Sequence, residues 1–220
     1  AAGTEAVLAS SLADTDRVFR RFLALCEAAG PDRCAPAGHG PVAPRVNRLL
    51  DRLRRAPIPA PRADPPGELT YGEALTALKY EGVPKPEQWP LVAALLEVTA
   101  EGDASETETI ARGATSDQAR MLFQEQGAAL VCADSPARHP ASAWLRVVDR
   151  LEAVSRIGGP VVGWQLAPCA AWPTPSANRY TGPWTKRTSN PVLIVGGRLR
   201  RPRAARAPAQ AVGPPGRAWP

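Results

Sequence analysis

The feature that most constrains the fold is one short run near the carboxyl end: Pro191, then Val192, Leu193, Ile194 and Val195, then Gly196 and Gly197. A continuous apolar run between proline and glycine reads as a strand buried on both faces, as in a parallel sheet. In open α/β sheets the chemistry lies just beyond the carboxyl ends of such strands. Here that position is taken by RLRRPRAARAPAQAVGPPGRAWP, residues 198–220, which holds no carboxylate and no histidine. The tail reads as disordered from Arg198 onward.

A length of 220 residues suits one domain or two small ones and is enough to bury a real core. Apolar residues at 44% and charged residues at 22% describe an ordinary globular chain. The net charge of +6 belongs to the tail, where Arg198, Arg200, Arg201, Arg203, Arg206 and Arg217 stand without an acid between them. The remainder balances 21 basic residues against 21 acidic ones, so nucleic acid is not an expected partner. No apolar run is long enough to span a bilayer, so no membrane partner is expected. The start, Ala1-Ala-Gly-Thr-Glu, lacks the basic and apolar regions of a signal peptide. Four cysteines remain. Cys26-EAAGPDR-Cys34, helix end to turn, suits a disulfide closing a small loop, and Cys132 with Cys169 would form a second. Four reduced, buried thiols are the alternative. Zinc is not expected, because there is no CxxC and no nearby histidine pair.

Taken in order, residues 16–29 place Val18, Phe19, Phe22, Leu25 and Cys26 on one helical face, and Gly30-Pro31 stops the helix. Residues 42–55 repeat the pattern with Val46, Leu49, Leu50 and Leu53. Their arginines, Arg45, Arg48, Arg52, Arg54 and Arg55, read as a solvated face. Pro57 to Gly67 reads as a semi-rigid proline linker. Thr70-Tyr-Gly-Glu73 is a capping box for a helix through Leu75 and Leu78. Trp89-Pro90 opens another helix, with Leu91, Ala94, Leu95 and Val98 inward and Gly102-Asp103 at its end. The charged stretch from Ser105 to Gln126 predicts two short helices. Ala128 to Cys132 reads as a second strand, Pro140 to Arg156 as a long helix, and Val161 to Trp164 as a third short strand.

Three segments share an order that carries a resemblance: Cys169-Ala-Ala-Trp172-Pro173, Arg179-Tyr-Thr-Gly-Pro183 and Asn190-Pro-Val-Leu-Ile-Val-Gly-Gly197. Cys132-Ala-Asp134-Ser-Pro and the pair Cys26 and Cys34 fit the same pattern. Together they resemble the carboxyl-terminal part of secreted tripeptidyl-aminopeptidase-like α/β-hydrolases, from roughly residue 16 to 197. The resemblance implies a partial α/β-hydrolase fold, mostly helical overall. Residues 1–126 would be the helical cap, 127–197 the carboxyl-terminal sheet portion, and 198–220 an appended tail. It further implies a secreted or cell-envelope location, disulfides at Cys26–Cys34 and Cys132–Cys169, a peptide-like substrate and no cofactor. With the amino-terminal sheet half missing, an open sheet edge would invite self-association.

Serine hydrolases of this kind need a nucleophile, an acid and a histidine, in that chain order. No Gly-x-Ser-x-Gly elbow occurs, and Ser10, Ser11 and Ser135 lack its glycine-flanked turn. The family's acid follows the Val-Gly-Gly strand in an Asp-Pro-Ala-Thr-Pro type segment; here the chain reads Leu199-Arg-Arg-Pro-Arg203. Its histidine comes later still, whereas His39 and His139 precede the strand. No catalytic residue is therefore expected. GC-rich codons for Asp-Pro-Ala-Thr-Pro, read one register off, encode Arg-Arg-Pro-Arg, the order of residues 200–203, so a frameshift after Gly197 accounts for the tail; a natural arginine-rich tail is the alternative. Asp134 reads as ordinary turn chemistry before Pro136. Of the tryptophans, most read as packing, and Trp172 and Trp184 are the candidates for a substrate cleft.

Overall fold

Each amphipathic stripe in the first half forms a helix, and the helices pack through those stripes. The computed structural model describes residues 4–114, 126–134, 139–173 and 176–178. These belong to one compact unit, Ala2–Arg179. The strand expected at Val192–Val195, the tail, and Trp184 lie outside the described residues. Helix α1 spans Thr4–Ala29, longer than the stripe alone indicates, and buries Leu12, Phe19, Phe22, Leu23 and Cys26. It stops at Gly30, whose φ of 75° only glycine adopts cheaply. A 3-10 turn, Ala35–His39, leads to α2, Val42–Arg55, whose buried stripe is Val42, Val46, Leu49, Leu50 and Leu53. Both disulfides form: Cys26–Cys34 pins the end of α1 to this turn, and Cys132–Cys169 closes a loop of 37 residues.

The proline-rich stretch is not a linker. Strands β1, Ile58–Ala60, and β2, Gly67–Leu69, pair antiparallel with Ile58 opposite Leu69 and Ala60 opposite Gly67. Ile58, Ala60 and Leu69 are fully buried, and that alternating anchor overrides proline's preference for an extended, unpaired chain. Pro59 has no N–H to offer, and its carbonyl accepts from the Ala104 backbone N–H at 3.0 Å. The capping box then forms as written: the Glu73 N–H donates to Thr70 Oγ1, and the Thr70 N–H donates to the Glu73 carboxylate at 2.9 Å. It opens α3, Tyr71–Ala77, which runs into one π-helical turn, Leu78–Gly82.

Helix α4, Trp89–Glu101, has Pro90 in its first turn and ends at Gly102 in the left-handed conformation. Its inward face is not the one expected. Trp89, Val92, Ala93, Leu96, Glu97 and Thr99 are buried, while Leu91, Ala94 and Val98 are exposed. The helix is apolar almost all round, so periodicity does not fix which face turns in. Helix α5, Ser105–Ala114, follows; residues 115–125 lie outside the description.

The two remaining short strands are helices. Ala128 to Cys132 lies in α6, Gln126–Asp134, and Val161 to Trp164 lies in α8, Gly159–Gln165. Apolar runs of four or five residues carry no period that separates strand from buried helix. Between them, a 3-10 turn at Ala141–Ala143 enters α7, Trp144–Val154, inside the expected helix. Trp144, Val147, Val148 and Leu151 of α7 join Leu12, Cys132 and Cys169 in one core cluster. The α7–α8 contact is close because Gly159 lacks a side chain: a Cβ there would lie 2.2 Å from the Leu151 carbonyl oxygen. The chain is mostly helical, with one two-stranded sheet among the described residues.

Candidate functional site

Helices α7 and α8 turn one face of each into the core and leave the other beside the start of α3. The result is a groove of about 740 Å³. Leu145, Val148, Asp149 and Glu152, at helical spacing along α7, form one wall. Pro160, Val161, Trp164 and Gln165 of α8 form the second, and Thr70 to Thr76 with Arg54 the third. Leu145 is 63% exposed and Trp164 55%, an unusual waste of apolar surface for two residues facing one hollow. Two hydrogen bonds fix α8 against its neighbours. Tyr80 Oη donates to Gln165 Oε1 at 2.7 Å, tying the π turn to α8. The buried Trp144 Nε1 donates to the Gly163 carbonyl at 3.0 Å, tying α7 to α8.

Arg54 governs the polar end. Its guanidinium grips Glu152 with two parallel bonds, 2.7 and 3.1 Å, and lies 5.8 Å over the centre of the Tyr71 ring. The Glu152 carboxylate, by its charge and its hydrogen bonds, raises the Arg54 pKa above the usual guanidinium value. Burial, with Glu152 adding to it, pushes the Tyr71 phenol up as well, against Arg54 and Arg156, which draw it down. The Tyr71 hydroxyl is buried without a hydrogen-bond partner; Arg156 acts on it but is not in bonding geometry. This is an amphiphilic hollow with fixed charges, suited to holding a ligand that is part apolar and part polar.

Two other places were candidates. A small cavity of about 60 Å³ lies among α2, α3, α4 and α5; its lining is mostly apolar, Leu50, Leu78, Val92 and Leu96 among it, and it is too small for a peptide side chain. His39, Glu97 and Glu101 bring three ligand atoms within 4.8 Å of one another. There the Arg45 guanidinium already bonds both oxygens of Glu97, so a positive charge stands where a metal ion would.

The residues singled out from the sequence fall as follows. Trp172 is half-buried and packs against the core cluster of Cys132 and Cys169; it is not in the groove wall, whereas Trp164 is. Trp184 lies outside the described residues. Asp134 ends α6 and is exposed. His39 closes its 3-10 turn 3.4 Å from Glu97, and the His139 ring stands edge-on to Trp144 at 6.2 Å. Ser10 and Ser11 are exposed on α1. No helix among the described residues is long and apolar enough to cross a membrane. Comparison with known protein families, with curated proteins and with solved structures found no match.

Proposed function

We propose that this chain is a non-catalytic peptide-binding body, the cap and carboxyl-terminal portion of an exported serine exopeptidase of the tripeptidyl-aminopeptidase-like class. The observation that carries it is the α3–α7–α8 groove, with Leu145 and Trp164 bare on its walls and the Arg54–Glu152 pair at its polar end. Peptides present that mixture: apolar side chains for the walls, backbone amides and carbonyls for the charged rim. The two disulfides support an oxidising compartment, in line with export. Hydrolysis is not assigned to the chain, since its sequence supplies no nucleophile elbow.

The test has two arms. A fluorophosphonate should leave the purified chain unlabelled, and stoichiometric labelling of a serine would overturn the non-catalytic reading. Short blocked peptides should bind saturably, and Trp164→Ala should weaken them at least several-fold while leaving the thermal midpoint in place. Peptides that bind Trp164→Ala and the parent equally would remove the groove as the site.

A further inference from the structure

We infer that the groove selects a cationic side chain, lysyl or arginyl, in the peptide it holds. This rests on the peptide-binding reading above and adds the sign of charge that the ligand carries. Four charged residues line the groove: the carboxylates Glu73, Asp149 and Glu152, and the guanidinium of Arg54. Most of them are already committed. Arg54 is gripped by Glu152 through both nitrogens. Glu73 accepts from the Thr70 N–H and hydroxyl in the capping box. Arg156, close to Tyr71, is spent on Asn47 and Asp51, at 3.1 and 2.5 Å.

Asp149 is the exception. It is exposed and makes no ion pair among the described residues; its field is felt at Arg54, but Arg54 is bonded elsewhere. It stands one helical turn beyond Leu145 on the same face of α7, with Trp164 on the facing wall of α8. A ligand there meets an exposed leucine, an exposed indole and an unneutralised carboxylate together. Lysine and arginine match that set, because their methylene stems cover apolar surface while the charged head stays at the wet rim. A cation over an indole face gains further attraction, and each of the two electrostatic contacts is a modest one at an exposed site. An acidic side chain would meet the same carboxylate, while the guanidinium in the groove lining, Arg54, is already bonded to Glu152, and an alkyl side chain would forgo both contacts.

The experiment uses the full chain and three peptides, Ac-Ala-Ala-X-Leu-Ala-amide with X as lysine, norleucine or glutamate, titrated calorimetrically. Blocking both ends removes terminal charges as a cause. We expect lysine to bind roughly tenfold tighter than norleucine, the sum of one exposed cation–π contact and one exposed ion pair. Glutamate should be weakest. Asp149→Asn should remove the ion-pair share and bring lysine to within a few-fold of norleucine, the cation–π contact with Trp164 remaining, and Asp149→Lys should reverse the order of lysine and glutamate. The residue is exposed, so both variants should keep the parent's circular dichroism and melting point. Equal binding of the three peptides by the parent overturns the charge selection and leaves peptide binding standing. A lysine preference undiminished by Asp149→Asn also overturns it. Binding of none of the three overturns the peptide-binding reading and this inference with it.

Discussion

Replacing Arg45 by methionine should cost about 3–5 kcal/mol of folding stability, the range for removing one partner of a buried ion pair. Glu97 is only 6% exposed, in the middle of α4, and both of its oxygens accept from Arg45, the Nε bond being 2.8 Å. Without the guanidinium the carboxylate keeps His39 at 3.4 Å, on an exposed ring, and has the Glu101 carboxylate within 4.8 Å. The cost is that of a stranded charge and not the worth of the pair itself. Arg45→Met with Glu97→Leu should therefore return to within about 1 kcal/mol of the parent, since a packed apolar pair often replaces a buried ionic one without loss. Domains of this kind are stable by roughly 5–15 kcal/mol, so the single variant loses a large share. Urea unfolding followed by helical circular dichroism reads both numbers, with the slope expected to stay constant. A single-variant loss below about 1 kcal/mol would mean that Glu97 behaves as a surface acid. A double variant worse than the single would refute the account of why the pair matters.

Loss of the disulfides should follow loop length: by the chain-entropy relation, about 2.5 kcal/mol for Cys26–Cys34 with its separation of 8 and about 4 for Cys132–Cys169 with its 37. Paired Cys→Ala variants in urea should keep that order, and a reversed order would count against it. Gly159→Ala should cost about 3 kcal/mol, the upper end for overpacking, because its Cβ would press on the Leu151 backbone. Gly72→Ala, which meets nothing within 4 Å, should be neutral or gain up to about 1 kcal/mol in thermal melts. The Asp103 carboxyl is held below its usual pKa, first by the Ser105 hydroxyl and backbone N–H and then by Arg62. A lowered folded pKa adds stability above the unfolded value, near 3.9, that disappears as pH falls through the folded value. Asp103→Asn should flatten that acid limb in a pH series of unfolding midpoints, and an unchanged limb would show that Asp103 does not contribute.

What the sequence disclosed well was local. The capping box at Thr70 and Glu73, the stop at Gly102 and the α2 stripe depend on residues within a turn or two of each other, and all form as read. What it disclosed poorly depends on partners far along the chain. The inward face of α4 is chosen by where α2 and α1 sit, with Phe22 tilted against Trp89 at 5.6 Å. Val161 to Trp164 read as a strand from its apolar run, yet Gly159-Pro160 ahead of it is a helix-start signal, proline at the first turn, that was present in the sequence. Gly159 and Gly163, four apart, also mark the side on which α8 can approach α7; a Cβ at Gly163 would lie 3.0 Å from Val148. Trp164 emerges as the groove tryptophan because the glycine-bearing face turns inward and leaves the indole outside.

The arginines of α2 show the same lesson in electrostatic form. Read alone, that helix has five arginines against a single acid, Asp51, and solvation is the cheapest fate for such a face. In the fold its charges are used in trans. Arg45 reaches Glu97, 52 residues away, and Arg54 reaches Glu152, 98 residues away. Arg52 donates to the Ala100 carbonyl at 3.1 Å, placing a cation at the carboxyl end of α4, where the exposed carbonyls favour one. Arg156, beyond α7, returns the contact to Asn47 and Asp51 on α2. A glutamate inside an apolar stretch, as Glu97 is within ALLEVTA, is a signal that could have pointed here, because a buried acid requires a cation. The consequence reaches the groove. Arg54 is both a strut between α2 and α7 and part of the groove wall, so the contacts that set where α7 lies also set the charge its ligand meets.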